Sequence, residues 1–91
     1  MRRKYRHYQN CLWKYRKARG LKQSDVAKIL ELKSSGMISR WENGVCLPET
    51  LNLIDLAQLY RTSMDALVID LVRESKVYIL EREKEVLSWH R

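Results

Sequence analysis

Between Ser34 and Gly44 the chain reads SSGMISRWENG. Hydroxyls and a glycine come first, an arginine stands in the middle, and Asn-Gly closes the run. At about 100° per residue, Ile38 and Trp41 share one side of a helix, while Gly36, Arg40 and Asn43 share the opposite side. Ser35 and Ser39 lie on one flank of that opposite side. Small residues at the start of a helix let its backbone approach another molecule closely. A guanidinium further along offers a planar fork of donors that matches guanine O6 and N7 in a major groove. The plainer alternative is that Ser-Ser-Gly only caps a helix and that Arg40 is a solvated charge.

Charge distribution favours the first of these. The chain has 91 residues, a formal charge of +7, and a calculated pI near 9.7. A balance of this kind points to an acidic partner, nucleic acid or an anionic membrane. From Met1 to Ser24 there are nine Lys or Arg and no acid, and the first acid is Asp25. The opening MRRKYRHY is therefore a basic arm. Charge without a defined shape in Arg2, Arg3, Lys4 and Arg6 suits phosphates or the minor groove, adding affinity with little sequence preference. No apolar segment follows the arm as it would in a secretion signal, and no stretch approaches a membrane span. The expected compartment is the cytoplasm.

Other chemistries find little support. Cys11 and Cys46 are far apart and lack a Cys-x-x-Cys partner or a histidine pair, so they read as plain thiols rather than zinc ligands or a disulfide. His7 and His90 stand near the chain ends with no nucleophile or carboxylate at triad spacing. A catalytic site, a metal, a cofactor and a small-molecule substrate are accordingly not expected. Trp13, Tyr15, Trp41 and Tyr60 read as core residues, not as an open stacking platform for RNA.

The elements that must hold Arg40 in place are all helical. Inside NCLWKYRKAR, Leu12, Tyr15 and Ala18 share a face, Asn10 is the expected N-cap, and Gly20 the left-handed stop followed by Leu21. QSDVAKIL gives a short second helix ending near Leu30, with Val26, Ile29 and Leu30 inward and Asp25 in its first turn. ELKSS turns the chain, and Ser34 or Ser35 caps a third helix running to Asn43 with Gly44 at its end. Pro48 holds VCLP as a loop. Thr50 is the expected cap of a fourth helix through Tyr60, with Leu53, Leu56, Ala57 and Tyr60 inward. Ser63 caps a fifth, with Met64, Leu67, Val68 and Leu71 inward. Beyond Arg73, KVYILEREKEVLSW predicts another helix or an extension of the fifth.

Helix two, a short turn and helix three stand in helix-turn-helix order beside a basic arm. Together GLKQSDVAKIL, ISRWENG, LP and LIDLAQLY with SMDAL resemble the Cro/C1-type helix-turn-helix family, also called the XRE family, over roughly Leu12 to Val68. The resemblance implies an all-α, five-helix lambda-repressor-like domain that binds double-stranded operator DNA, usually as a dimer, to control transcription. By position it implies that Gln23 bonds a phosphate and braces the start of the recognition helix. It also places Ser35, Gly36 and Arg40 at base-reading positions, with Lys33 and Ser34 just ahead and Ser39 beside them. Asn43 matches an asparagine that meets the DNA backbone. Glu42 is matched to a structural role.

This sequence departs from the family pattern in three places. Lys22 stands where helix two usually has a Ser or Thr cap, which costs on the order of 1 kcal/mol of capping but brings a charge toward phosphate. The ELKSS turn is one residue longer than the common form. Loop VCLP lacks the basic residue often found after the Asn-Gly.

The chain thus divides into a basic arm (1–9), a helix-turn-helix domain (10–72) and a C-terminal helical extension (73–91). In the extension Val72, Ile79 and Val86, and Val77, Leu80 and Leu87, form apolar rows that end in Trp89. Such rows suit a homodimer contact, or a lid folded over the domain's own core. The main reading is a sequence-specific transcriptional regulator, a repressor. Its rival is an antitoxin-like or adaptor module that grips an acidic protein.

Overall fold

The first four helices all stop the same way. In the computed structural model, which describes residues 7–88, α1 (Leu12–Ala18), α2 (Gln23–Ile29), α3 (Gly36–Glu42) and α4 (Thr50–Tyr60) each end on a left-handed residue. Those residues are Gly20, Glu31, Gly44 and Arg61. After each, two backbone N–H groups turn back to bond carbonyls of the last turn. Examples are Gly20 N to Lys17 O at 2.9 Å with Leu21 N to Arg16 O at 3.2 Å, and Leu32 N to Ala27 O at 2.8 Å. These bonds satisfy carbonyls that a helix end leaves without partners, and they fix the direction of the next segment. Gly20 and Gly44 are the stops the sequence announces. Glu31 and Arg61 have the same conformation, with φ of 58° at both, and nothing in their side chains signals it.

Two further helices complete the chain, α5 (Met64–Leu67) and α6 (Ile69–Ser88). No strand occurs among the described residues, so the fold is all-α. The core is built from Leu12, Val26, Ala27, Ile38, Trp41, Leu56, Ala57, Tyr60 and Leu67, contributed by α1 to α5. Leu21, Leu30, Leu32 and Leu53 pack around it. The C-terminal segment is a separate helix, not an extension of α5: Val68, with φ −131° and ψ 40°, breaks the helical path between the two. α6 carries no buried residue and leaves the domain, which gives the molecule an elongated 54 × 23 × 19 Å envelope. It does not fold back as a lid.

Several local expectations need correction. Cys11, not Asn10, is the N-cap of α1, although Asn10 Oδ1 still accepts from Leu12 N at 3.0 Å. Ala18 is exposed because it lies about 120° from Leu12 around the helix, and Arg16 takes the inward place. Ile29 is 52% exposed: α2 centres its buried side on Val26 and Ala27, about a right angle away from Ile29. Trp13, expected inward, is 56% exposed with Lys17 Nζ 5.7 Å from its ring centroid. Thr50 is the first residue of α4, and Glu49 holds the cap position without a side-chain bond. Met64 is exposed, whereas Ser63 caps α5 by accepting from Ala66 N at 3.0 Å.

Candidate nucleic-acid interface

α3 is locked by what it buries. Ile38 and Trp41 are 1% and 2% exposed and face α1 and α2. The opposite side carries Gly36, Arg40 and Asn43, all exposed, with Ser35 and Ser39 half-buried beside them. Lys33 and Ser34 are exposed in the turn ahead. Ser35 is the N-cap residue but makes no side-chain cap bond; Ser34 Oγ instead accepts from Gly36 N at 3.3 Å. Beyond its chain neighbours and the helix's own backbone, a Cβ added at Gly36 would meet only that hydroxyl, at 3.4 Å, among the described residues, so the front of the helix is open. No hydrogen bond or ion pair holds the Arg40 guanidinium among the described residues. Met37, 38% exposed on the adjoining flank, is an apolar neighbour that the sequence reading left out.

A buried polar cluster fixes the end of α3 against the last turn of α1 and the start of α2. Glu42 accepts from Arg16 Nε through Oε2, and from Arg16 Nη2 through Oε1 at 3.0 Å. Gln23 Nε2 donates to the same Oε1 at 3.0 Å, and Arg16 Nη1 donates to Leu21 O at 2.9 Å. The ion-paired side chains are nearly sealed from water, and the hydrogen bond to Glu42 raises the Arg16 pKa above its ordinary value. A buried charge without its partner is costly, so this cluster holds helix orientation tightly. Gln23 therefore braces α3 through Glu42. Glu42 is structural, and Arg16, which sequence reading passed over, is its main partner. The neighbouring Tyr60 hydroxyl has its pKa pushed up to about 12, chiefly by burial and then by the Glu42 charge.

Lys22 is the N-cap of α2, extended in backbone, with its side chain exposed. Its N–H donates to Asp25 Oδ2 at 2.9 Å, so half of a capping box survives the loss of the usual hydroxyl. Asn43 is the C-cap of α3, and its Nδ2 donates to Ser39 Oγ at 3.3 Å.

The root of the basic arm is stapled to the same helix end. Tyr8 N donates to Gly44 O at 2.9 Å, and Asn10 Nδ2 donates to both Trp41 O at 2.9 Å and Tyr8 O at 2.8 Å. Gly44 has φ +74°, and a Cβ there would stand 3.0 Å from Tyr8 N. The arm thus begins beside Asn43. Arg2, Arg3, Lys4 and Arg6 themselves lie outside the described residues. No sequence signal marks this staple, because its partners are more than thirty positions apart.

Among the described residues, no helix is long and apolar enough to cross a membrane. Comparison with curated proteins and with solved structures returns no match. A family model described as helix-turn-helix matches residues 14–67, more than half of the chain, and spans α2, the turn and α3 with their supporting helices. With a short helix braced behind an outward-facing second one, the chain belongs to the Cro/C1-type (XRE) helix-turn-helix family of DNA-binding transcriptional regulators.

Proposed function

We propose that the protein is a sequence-specific repressor that reads the major groove with α3 and acts by occupying its operator. The observation that carries this reading is the outward stripe of α3. Small residues at Ser35 and Gly36 precede an Arg40 whose guanidinium has no partner among the described residues, on a helix whose other side is locked by Ile38 and Trp41. In this reading Arg40 reads a guanine by two parallel bonds, and Lys33, Ser34, Ser35, Gly36 and Ser39 line the approach to the base edges. Gln23, Lys22 and Asn43 contact phosphates at the two ends of the motif, and Arg2, Arg3, Lys4 and Arg6 add charge from the arm. A single domain of this size covers few base pairs, so a homodimer formed through the C-terminal helix completes a palindromic site.

The test is selection from random duplexes, run in parallel for the wild type and Arg40→Ala. Arg40→Ala should cost about 1–3 kcal/mol on the wild-type consensus and relax one base position. An unchanged consensus for the mutant would reject the assignment of Arg40. Affinity for duplex DNA should also fall steeply between low and moderate salt. A nearly flat response, with tight binding to an acidic protein, would favour the adaptor alternative.

A further inference from the structure

The two charges on the apolar side of α6 define how two copies meet, and this inference rests on the reading of α6 as the dimer contact. Around α6, Val72, Ile79 and Val86 form one edge of a stripe, and Ile69, Leu80 and Leu87 the other, within a sector of about 120°. Ile79, Leu80, Val86 and Leu87 are between 40% and 51% exposed, two apolar rows on a helix that leaves the domain. Lys76 and Glu83 stand in the middle of that stripe, exposed and with no ion-pair partner among the described residues. They are two turns apart, roughly 10 Å along the axis, so they do not pair with each other on one helix. The ion pairs that α6 does make, Asp70 with Arg73 and Arg82 with Glu85, lie off the stripe.

We propose that α6 pairs antiparallel with α6 of a second copy, with the two-fold axis crossing near Ile79 and Leu80. Lys76 then lies beside Glu83 of the partner subunit, and Glu83 beside Lys76 of the partner subunit. Both charges lost from water are neutralised, twice, by one symmetry operation. A parallel pair would set lysine against lysine and glutamate against glutamate along the same seam. In the antiparallel register Val72 faces Leu87 of the partner subunit. Val72 also borders a groove of about 380 Å³ walled by Leu47, Leu53, Val68 and Leu71, so the partner's last helical turn arrives over an apolar recess. The two Ile69 positions fall about 30 Å apart along the helix pair. That distance is close to the spacing of half-sites one DNA turn apart.

Charge exchange in the full-length chain tests the arrangement by sedimentation equilibrium. Lys76→Glu or Glu83→Lys alone places like charges together and should weaken the dimer roughly tenfold or more. The double variant Lys76→Glu/Glu83→Lys should restore wild-type association. Indifference of the dimer to the single changes would overturn the proposal. Orientation is read separately by oxidation of single-cysteine variants, with Cys11→Ser and Cys46→Ser as background. Leu80→Cys, beside the axis, should form a disulfide with its own copy, and Leu87→Cys should not. Efficient cross-linking of Leu87→Cys to itself would show a parallel pair and overturn the register while leaving the dimer intact. A wild-type chain that stays monomeric at tens of micromolar would instead overturn the dimer reading beneath it. All four substituted positions on α6 are exposed, so circular dichroism should show every variant folded.

Discussion

Gly44 meets two constraints at once. Its φ of +74° lies in the left-handed region, and the space where a side chain would begin is taken by the Tyr8 backbone. Gly44→Ala should therefore destabilise the protein by about 1–3 kcal/mol, read as a lower urea midpoint. A midpoint equal to wild type would show that the arm root does not press on this turn. Tyr60 gives a pH dependence of definite sign. Its pKa rises from 10.0 to about 12 in the folded chain, so the unfolded state releases this proton first. The stabilisation is complete below pH 10 and is lost as pH climbs toward 12. Tyr60→Phe should flatten that part of the alkaline limb in a comparison of unfolding free energies across pH. An unchanged slope would mean that the hydroxyl is as free to ionise folded as unfolded.

Among the elements, the helix ends are the part of the design with most room for improvement. Four helices use the same left-handed stop, yet only two have glycine there. A left-handed L-residue costs about 1–2 kcal/mol, part of which a glycine returns through its freer unfolded chain. Glu31 and Arg61 are exposed and make no side-chain bond among the described residues that would be lost. Glu31→Gly should raise stability by roughly 0.5–1 kcal/mol, seen as an increased urea midpoint with an unchanged slope. A lower midpoint would show that Glu31 contributes something beyond its backbone. Because Glu31 lies in the turn between α2 and α3, the variant also asks whether the turn's shape alone sets the approach of Lys33 and Ser34.

At the scale of the whole molecule, a braced helical domain carries a rod. The domain holds its core within α1 to α5, and α6 buries no residue against it. Truncation after Glu74 should accordingly leave a folded, monomeric domain with a cooperative thermal transition. It should still bind a single half-site but lose cooperative binding to a paired site, as judged by sedimentation and titration of both DNAs. Collapse of the cooperative melt in the truncated chain would mean that α6 belongs to the core after all.

Periodicity carried much of this in the sequence. Ile38 and Trp41 had to face inward together, and that alone turned Gly36, Arg40 and Asn43 outward, because a helix has one angular repeat. Glycine marked the ends of α1 and α3 for the same local reason: only a residue without Cβ adopts the left-handed stop at no cost. The tertiary structure decided what depends on distant partners. Arg16 looks like surface charge until Glu42, twenty-six positions away, supplies the carboxylate that makes its burial tolerable. Ile29 by its helical spacing and Trp13 by its assigned face read as core residues, but the packing centre of each helix lies elsewhere, and which sector of a helix is covered is set by its neighbours. The staple from Tyr8 and Asn10 to the end of α3, and the departure of α6 from the domain, are likewise contacts made or not made in space. A linear pattern specifies which way a side chain points along its own helix, and only the assembled fold specifies what it meets there.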